Sequence, residues 1–382
     1  MYVTDVELVD FRNYEAASLK FEPGVNVLVG ANGQGKTNIV EAVAYLATLA
    51  SHRVGVDAPL VRRGAERAVI RARVAAGLND ARVLTLELEI NPGAANRAQL
   101  NRAPQRRARD LLGALRVVVF TPDDLDLVKG DPSSRRDGLD ELLVTRWPRL
   151  AGVKADYDKV IRQRNAPLKA AAGRGRLDAE AAGTLDVWDE QLASFGAEIV
   201  VARAATITDL GPYLVASYEA IAPANNVASA VYAPRLDELR AYLAQDESPS
   251  PAEVAVLLRD ALAERRPDEV RRGVSLVGPH RDEIELSIGD LPAKGYASHG
   301  EAWSLALAWR LASFHLLRAE GIEPVLILDD VFAELDATRR DRLAAEVVTA
   351  EQTVITAAVP EDVPAGLAGH QFLVQAGTVR KA

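Results

Sequence analysis

The run Gly30-Ala31-Asn32-Gly33-Gln34-Gly35-Lys36-Thr37 constrains this chain more than any other feature. It directly follows the apolar run Val25-Asn26-Val27-Leu28-Val29. A short strand, a glycine turn and then a helix is the context in which this pattern binds phosphates. Gly30, Gly33 and Gly35 take backbone angles closed to other residues, so successive N–H groups can point inward at an anion. The following helix, expected over residues 36–49, adds its positive N-terminal end. Lys36 is then placed to reach the β- and γ-phosphates as a point charge, and Thr37 to put its hydroxyl on Mg²⁺. The pattern predicts a nucleoside-triphosphate site. A glycine turn that merely caps a helix would not need Lys-Thr in this register.

The second half of such a site lies far along the chain. Pro324-Val325-Leu326-Ile327-Leu328-Asp329-Asp330 reads as a buried parallel strand ending in two carboxylates. Such a strand delivers Asp329 to the carboxyl edge of the sheet, where a phosphate loop also lies. Asp329 suits Mg²⁺, directly or through water, and Asp330 suits orientation of an attacking water. Asp329 follows Lys36 by 293 residues, so the two halves must come together around everything between them.

That intervening sequence begins as β structure and turns helical. Residues 3–11, 17–21 and 25–29 read as strands, and 68–76 with 82–90 as a hairpin through Gly77-Leu78-Asn79-Asp80. Val117–Phe120 is a short buried strand, and Thr121-Pro122-Asp123-Asp124 signals a helix start. From about Asp137 to Leu262 the pattern is mainly helical, with breaks expected at Ala171–Arg176, Gly211-Pro212, Ala222–Asn226 and Glu247–Pro251. Strands return at Val274–Val277 and Ile284–Ile288. Then come a helix over Glu301–Ala319, the Val325 strand, a helix from Thr338 and a strand over Thr353–Ala357. The expected division is 1–125 for a first α/β part with the phosphate loop, 126–270 for a helical arm, and 271–382 for a second α/β part. The arm lacks the sustained heptads of a long coiled coil.

Composition narrows the class. With 382 residues and 48% hydrophobic side chains the chain can bury two or three cores. No cysteine is present, which excludes disulfides, a zinc hook and Fe–S ligation. The N-terminal residues alternate like a strand and show no signal-peptide core, and no window is expected to span a bilayer, so a cytoplasmic protein with no membrane partner is expected. The net charge of −9 is unevenly spread. Val61 to Arg116 holds twelve arginines against five acidic residues, a local +7, and Lys154 to Arg176 holds seven basic residues against two acidic. Arginine clusters favour phosphate contact. Charge alone leaves nucleic acid and ordinary solvated faces equally open.

Ser298-His299-Gly300-Glu301 opens the helix that precedes the Asp329 strand. Ser298 and Glu301 form a capping box, which suffices for helix initiation. A serine hydroxyl, a glycine and a helix N-terminus also make an anion site. The element begins 31 residues before Asp329, where it resembles the signature motif of ABC-type ATPases, which closes on nucleotide held by the other subunit. Glu334-Leu335-Asp336 resembles the D-loop of the same interface.

Over nearly its whole length the chain resembles the RecF family of bacterial DNA replication and repair proteins. The residues that carry this are Phe11-Arg12-Asn13-Tyr14, Pro23 to Gly30, the phosphate loop into Asn38-Ile39-Val40-Glu41-Ala42, Lys129-Gly130 with Arg135-Arg136, Gly278-Pro279-His280-Arg281-Asp282, Tyr296-Ala297-Ser298, and Asp329 to Asp336. The resemblance implies an α/β fold: an ABC/SMC-type ATPase head, with a mixed sheet, flanking helices and an antiparallel β lobe, plus a helical arm domain. It implies an ATP-dependent homodimer, binding to double-stranded and to gapped or single-stranded DNA, slow hydrolysis, and action with RecR and RecO to help load RecA. Carried over by residue, Gly30 to Thr37 hold ATP, Thr37 and Asp329 hold Mg²⁺, and Lys36 and Asp330 support hydrolysis, while Ser298 and Gly300 close on ATP in trans. Arg106, Arg107, Arg135 and Arg136 are the DNA candidates, with surface salt bridges the competing role.

The chain also departs from the family pattern. It has His299 and Glu301 where glutamines are common, Val54-Gly55-Val56-Asp57 after Ser51-His52-Arg53, Gly138 for an aromatic, and no switch histidine in Thr356-Ala357-Ala358-Val359. These bear on the rate and coupling of hydrolysis, not on ATP binding. A transporter ATPase predicts a shorter insert. An ABC-type nuclease needs a further acidic domain, and a small-molecule kinase needs no split site.

Overall fold

The structure is a computed structural model that describes residues 1–172, 179–222, 226–245 and 249–382. The expected break at Ala171–Arg176 lies largely outside the described residues, as do parts of those at Ala222–Asn226 and Glu247–Pro251. The chain forms two compact units. One comprises Met1–Val128, Pro212–Ala228 and Ala297–Ala382, and the other Lys129–Gly211 and Ser229–Tyr296.

The first unit holds two six-stranded sheets. One is antiparallel, in the order Tyr14–Lys20, Tyr2–Phe11, Ala68–Gly77, Asp80–Ile90, Arg97–Leu100, Ala103–Pro104. The other runs Thr378–Lys381, His370–Gln375, Gly24–Val29, Gln352–Ala357, Val325–Asp329, Val117–Phe120, and is parallel except at its Thr378–Lys381 edge. The continuous apolar runs explain the parallel pairing: Val117–Phe120, Val325–Asp329 and Gln352–Ala357 are buried at every position, as strands covered on both faces must be. The helix Lys36–Thr48 shares one core with residues of both sheets, among them Leu8, Ile70, Leu88, Ile327 and Val354. Its Ile39, Val43 and Leu46 are fully buried, each contributing about 2 kcal/mol by transfer, so the helix start is a rigid anchor for the loop before it. Gln352, also fully buried, accepts from Val3 N and donates to Val3 O, both at 2.8 Å, and ties the two sheets together.

Register then assembles the site. Asp329 pairs with Thr356, Thr356 with Leu28, and Ala357 with Val29. Three strands therefore end at one edge, and they carry Gly30, Asp329 and Thr356 to it.

The second unit is helical, with Pro132–Arg146, Leu150–Ala172, most of Ala179–Ile221, Asp237–Gln245 and Pro251–Arg272, plus a small sheet of Leu291–Pro292, Glu283–Ile288 and Ala228–Ala233. Buried ions organise it. Arg164, with no exposed surface, donates to Asp189 at 2.5 Å, Glu269 at 2.6 Å and Ser275 at 2.8 Å. Arg203 grips Asp140 at 2.8 and 2.9 Å.

Several expectations are corrected here. Val274–Val277 is no strand: Ser275 N donates to the Asn165 side chain and Leu276 N to Glu269, so side chains take the donors that a ladder would use. The helix Ala179–Ile221 continues past Gly211-Pro212, where burial of Leu210, Leu214, Tyr218 and Ile221 outweighs the bond lost at proline. That helix is also long and apolar enough to cross a membrane, with mean hydropathy 1.3 over an 18-residue window, against the expectation that no window would be. It carries Arg203 on buried Asp140, an arrangement of a protein interior. Residues 271–296 pack with the second unit, whereas the expected boundary fell after 270.

Candidate nucleotide site

The loop is held from outside by two short segments, residues 13–14 and 374–376. Gly33 and Gly35 lie at φ +78° and +116°, the left-handed region that favours glycine. A Cβ on Gly35 would stand 2.6 Å from the Tyr14 hydroxyl, and one on Gly30 would stand 2.2 Å from the Val374 carbonyl oxygen. The Tyr14 hydroxyl donates to Gly35 O at 3.1 Å, the Asn13 amide to Gln34 O at 3.2 Å, and Ala376 N to the Gln34 side chain at 2.7 Å. Burial pushes the Tyr14 phenol well above its usual range, so it stays a donor. Ala31, Asn32 and Gly33 form the exposed crest. Lys36 is buried and its Nζ donates to Gly30 O at 2.7 Å, with Ala31 O at 3.4 Å.

The carboxylates meet the loop as expected. Thr37 Oγ1 donates to Asp329 Oδ1 at 3.0 Å. Thr356 Oγ1 donates to the same oxygen at 2.7 Å, lies 3.3 Å from Asp330 Oδ1, and accepts from Asp330 N at 2.8 Å. Asp330 sits at φ +54°, a left-handed turn that redirects its carboxylate from the strand axis. Burial raises the pKa of Asp329, and the neighbouring Asp330 charge adds to this. Hydrogen bonds from Thr356 and Thr37 and the charge of His52 oppose it. A carboxylate short of positive charge next to a threonine hydroxyl is a hard-cation site. Adjacent ligands of octahedral Mg²⁺ lie about 2.9 Å apart, since each stands about 2.05 Å from the ion. The 3.0 Å spacing of Thr37 Oγ1 and Asp329 Oδ1 fits.

Behind the loop, Glu41 is fully buried. It accepts from Arg12 (2.8 Å to Oε2), from Ser51 at 2.6 Å and from Arg53 at 3.2 Å. Burial alone would raise its pKa. The hydrogen bonds from Arg12 and Ser51 and the charges of Arg12 and Arg53 win, and hold it below the usual carboxylate range. Arg53 also donates to Asn38 at 2.8 Å, and Asn38 to Asn13 at 2.7 Å. The Arg12-Asn13-Tyr14 run is thus the outer wall of the cradle.

Ser298 caps the helix His299–Ala319. Glu301 N donates to its hydroxyl at 3.3 Å and Ser298 N to the Glu301 carboxylate at 2.9 Å. Arg310 of that helix donates to Asp124 at 2.7 and 3.0 Å, fixing it to the turn after Val117–Phe120. Among the described residues, no hydrogen bond links Ser298 or Gly300 to residues 30–37, Asp329 or Asp330 within this chain.

The arginine candidates divide. Arg106 and Arg107 are exposed. Arg135 is buried and bonds both oxygens of Glu283, at 2.8 and 3.0 Å, while Arg136 is half-buried on Asp282 O at 2.9 Å. Arg135 is therefore a structural ion pair of the second unit, not a free phosphate contact. Much of the local +7 is also paired: Arg62 with Asp10, Arg67 and Arg97 with Glu89, Arg71 with Glu87, Arg73 with Asp5, and Arg82 with Asp80. Arg63, Arg102, Arg106 and Arg107 are exposed with no ion pair among the described residues. Arg102 follows Asn101 in a turn where both have positive φ, +66° and +50°.

Sequence reasoning missed Thr356 as a site residue and the clamp on Glu41. Thr356 was visible only as a strand residue, and its role follows from its register with Asp329. The Phe11-Arg12-Asn13-Tyr14 run was the available signal for the clamp.

Comparison with known proteins follows the same lines. The RecF/RecN/SMC N-terminal domain family matches residues 2–364. A protein named DNA replication and repair protein RecF from Cutibacterium acnes is 57% identical, covering 99% of this chain and 98% of the relative. One of that name from Streptomyces avermitilis is 54% identical, with 100% of both covered. A solved structure of the recombination mediator protein RecF-ATP in the RecFOR pathway is similar, with TM-score 0.87 at 26% identity over 100% of this chain and 97% of that one. An Smc head bound to the C-winged helix domain of ScpA shares the fold, with TM-score 0.56 at 16% identity over 100% and 97% of the two chains.

Proposed function

The chain belongs to the RecF/RecN/SMC family, and within it to RecF, and from that premise we propose that it is an ATP-dependent DNA-binding protein of recombinational gap repair in the cytoplasm. The observation that carries this reading is the Thr37–Asp329 contact, which joins residues 292 apart into one phosphate and metal site. The solved RecF structure named for ATP supports the choice of nucleotide.

Lys36 exchanges its bonds to Gly30 and Ala31 carbonyls for phosphate oxygens, a swap that costs little because the ammonium is already desolvated. Thr37 and Asp329 would hold Mg²⁺, with Thr356 keeping the Asp329 carboxylate in line. The ion would supply positive charge to offset the negative charge that develops in phosphoryl transfer. Asp330, turned out of the strand, orients the attacking water. Ser298 and Gly300 of a second copy close over the γ-phosphate, and a two-fold pair makes two such sites. The exposed arginines of the β lobe, Arg63, Arg102, Arg106 and Arg107, track duplex phosphates beside a single-strand gap, so affinity falls with salt. ATP closes the pair on DNA, slow hydrolysis reopens it, and the closed form acts with RecR and RecO to help load RecA.

Gel filtration of wild type and Lys36→Arg with Mg-ATP and a gapped duplex tests this. Wild type is expected to elute as a dimer on DNA, and the variant as a monomer off it. A wild type that stays monomeric and unbound with ATP overturns the reading.

A further inference from the structure

The Ser298–Gly300 turn and the Glu334–Asp336 segment are joined by one side chain that neither motif contains. Arg339, in the first turn of the helix Ala337–Val347, donates through Nε to the buried hydroxyl of Ser304 at 2.9 Å. Its Nη1 pairs with Asp336, whose carboxylate also caps the helix by accepting from Arg339 N at 3.0 Å. The guanidinium lies against Gly300. A Cβ there would stand 2.7 Å from Nη2, 3.2 Å from Cζ and 3.3 Å from Nη1. Arg339 keeps 16% of its side-chain surface exposed, whereas Asp336 keeps 50%. The planar fork fills a slot over Gly300, and a Cβ there would force the guanidinium to shift from its bonds to Ser304 and Asp336.

We propose that Arg339 is a positioning residue that locks the Ser298–Gly300 turn to the Glu334–Asp336 segment, so that both meet a second copy as one preset surface. Gly300 is then required by Arg339 as much as by nucleotide. This rests on the trans role of Ser298 proposed above. A lysine cannot replace the arginine, because its single ammonium cannot serve Ser304 and Asp336 while lying flat on Gly300.

Arg339→Ala, Arg339→Lys, Gly300→Ala and the Arg339→Ala/Gly300→Ala pair are compared in the full chain, with thermal unfolding to confirm folding. Three readouts separate the possibilities: binding of a fluorescent ATP analogue, ATP-induced dimerisation by sedimentation velocity, and hydrogen exchange of the monomer. Both Arg339 variants are expected to bind nucleotide within about twofold of wild type and to dimerise at least about tenfold more weakly. Exchange rises together at 299–302 and 336–340. Gly300→Ala weakens dimerisation on its own and adds less to Arg339→Ala than it costs in wild type, the non-additivity of two changes that share one contact. Additive losses, a lysine variant that dimerises like wild type, or exchange that rises in one segment only would each overturn the proposal. If exchange rises in both segments and wild type still fails to dimerise with ATP, the trans role of Ser298 falls and the lock stands.

Discussion

The phosphate loop and the signature turn are both glycine-containing helix starts, but the chain finishes only one of them. Around Gly30–Thr37, Asn13, Tyr14 and Gln34 fix the backbone, Lys36 is buried, and Asp329 and Thr356 join Thr37 at the strand edge. Around Ser298, the capping box with Glu301 satisfies the helix start locally and leaves Ser298 and His299 exposed, with Gly300 half-buried under Arg339. The difference teaches that a cradle for a polyanion is preorganised by its own chain, whereas the Ser298 turn, on the reading proposed above, stays open until a second copy arrives.

The contrast breaks most visibly at Glu41. Removing its carboxylate leaves Arg12, Ser51 and Arg53 without an acceptor, and Glu41→Ala is expected to cost about 3–5 kcal/mol in urea unfolding. The same pair makes the fold acid-sensitive. Because the folded pKa lies below the unfolded value of about 4.3, the stabilisation is complete above that value and is lost as pH falls through the folded one. Denaturant midpoints measured from pH 7 to pH 3 should fall steeply below about pH 4 in wild type and more gently in Glu41→Gln.

Lys36→Ala comes next. It removes a buried cation of the cradle and should weaken Mg-ATP binding by about 3 kcal/mol, roughly a hundredfold, in a fluorescence titration, with unfolding little changed. Thr356→Val keeps the strand but removes the hydroxyl that serves Asp329 and Asp330. A loss of about 1–2 kcal/mol is expected in Mg²⁺-dependent binding, read as the ratio of affinities with Mg²⁺ and with EDTA. On the open side, Ser298→Ala should cost about 1 kcal/mol of stability as a lost cap while leaving monomer ATP affinity within about twofold. An equal loss of affinity in Ser298→Ala and Lys36→Ala would erase the distinction between the two starts.

How much of this was legible in the sequence depended on whether the chemistry is local. Gly30 to Thr37 are consecutive, and the run ending in Asp329 declares a buried parallel strand, so both halves of the site and their meeting could be read. Thr356 could not, because its role depends on pairing opposite Asp329, and register is not written in either strand. Arg135 misled for a related reason: its partner Glu283 lies 148 residues away, and charge along a chain is not charge on a surface. The same holds for Arg164 in the second basic stretch, which is wholly buried on Asp189 and Glu269. The strands Ala228–Ala233, His370–Gln375 and Thr378–Lys381 went unread because their sequences show no sustained apolar–polar alternation, although Phe372 and Val374 do point into the core. At Gly211-Pro212 a local breaker lost to the packing of a long helix.

The central claim is that one complete site needs the loop of one copy and the signature turn of another. The most direct measurement mixes Lys36→Ala with Ser298→Ala and follows ATP hydrolysis in the presence of DNA. Each variant alone has no intact composite site and should be inactive. In the mixed dimer, the loop of the Ser298 variant faces the intact signature of the Lys36 variant, and hydrolysis should return to a sizeable fraction of wild type. Two folded variants that stay inactive together, with the Ser298 variant still binding ATP, would contradict the account.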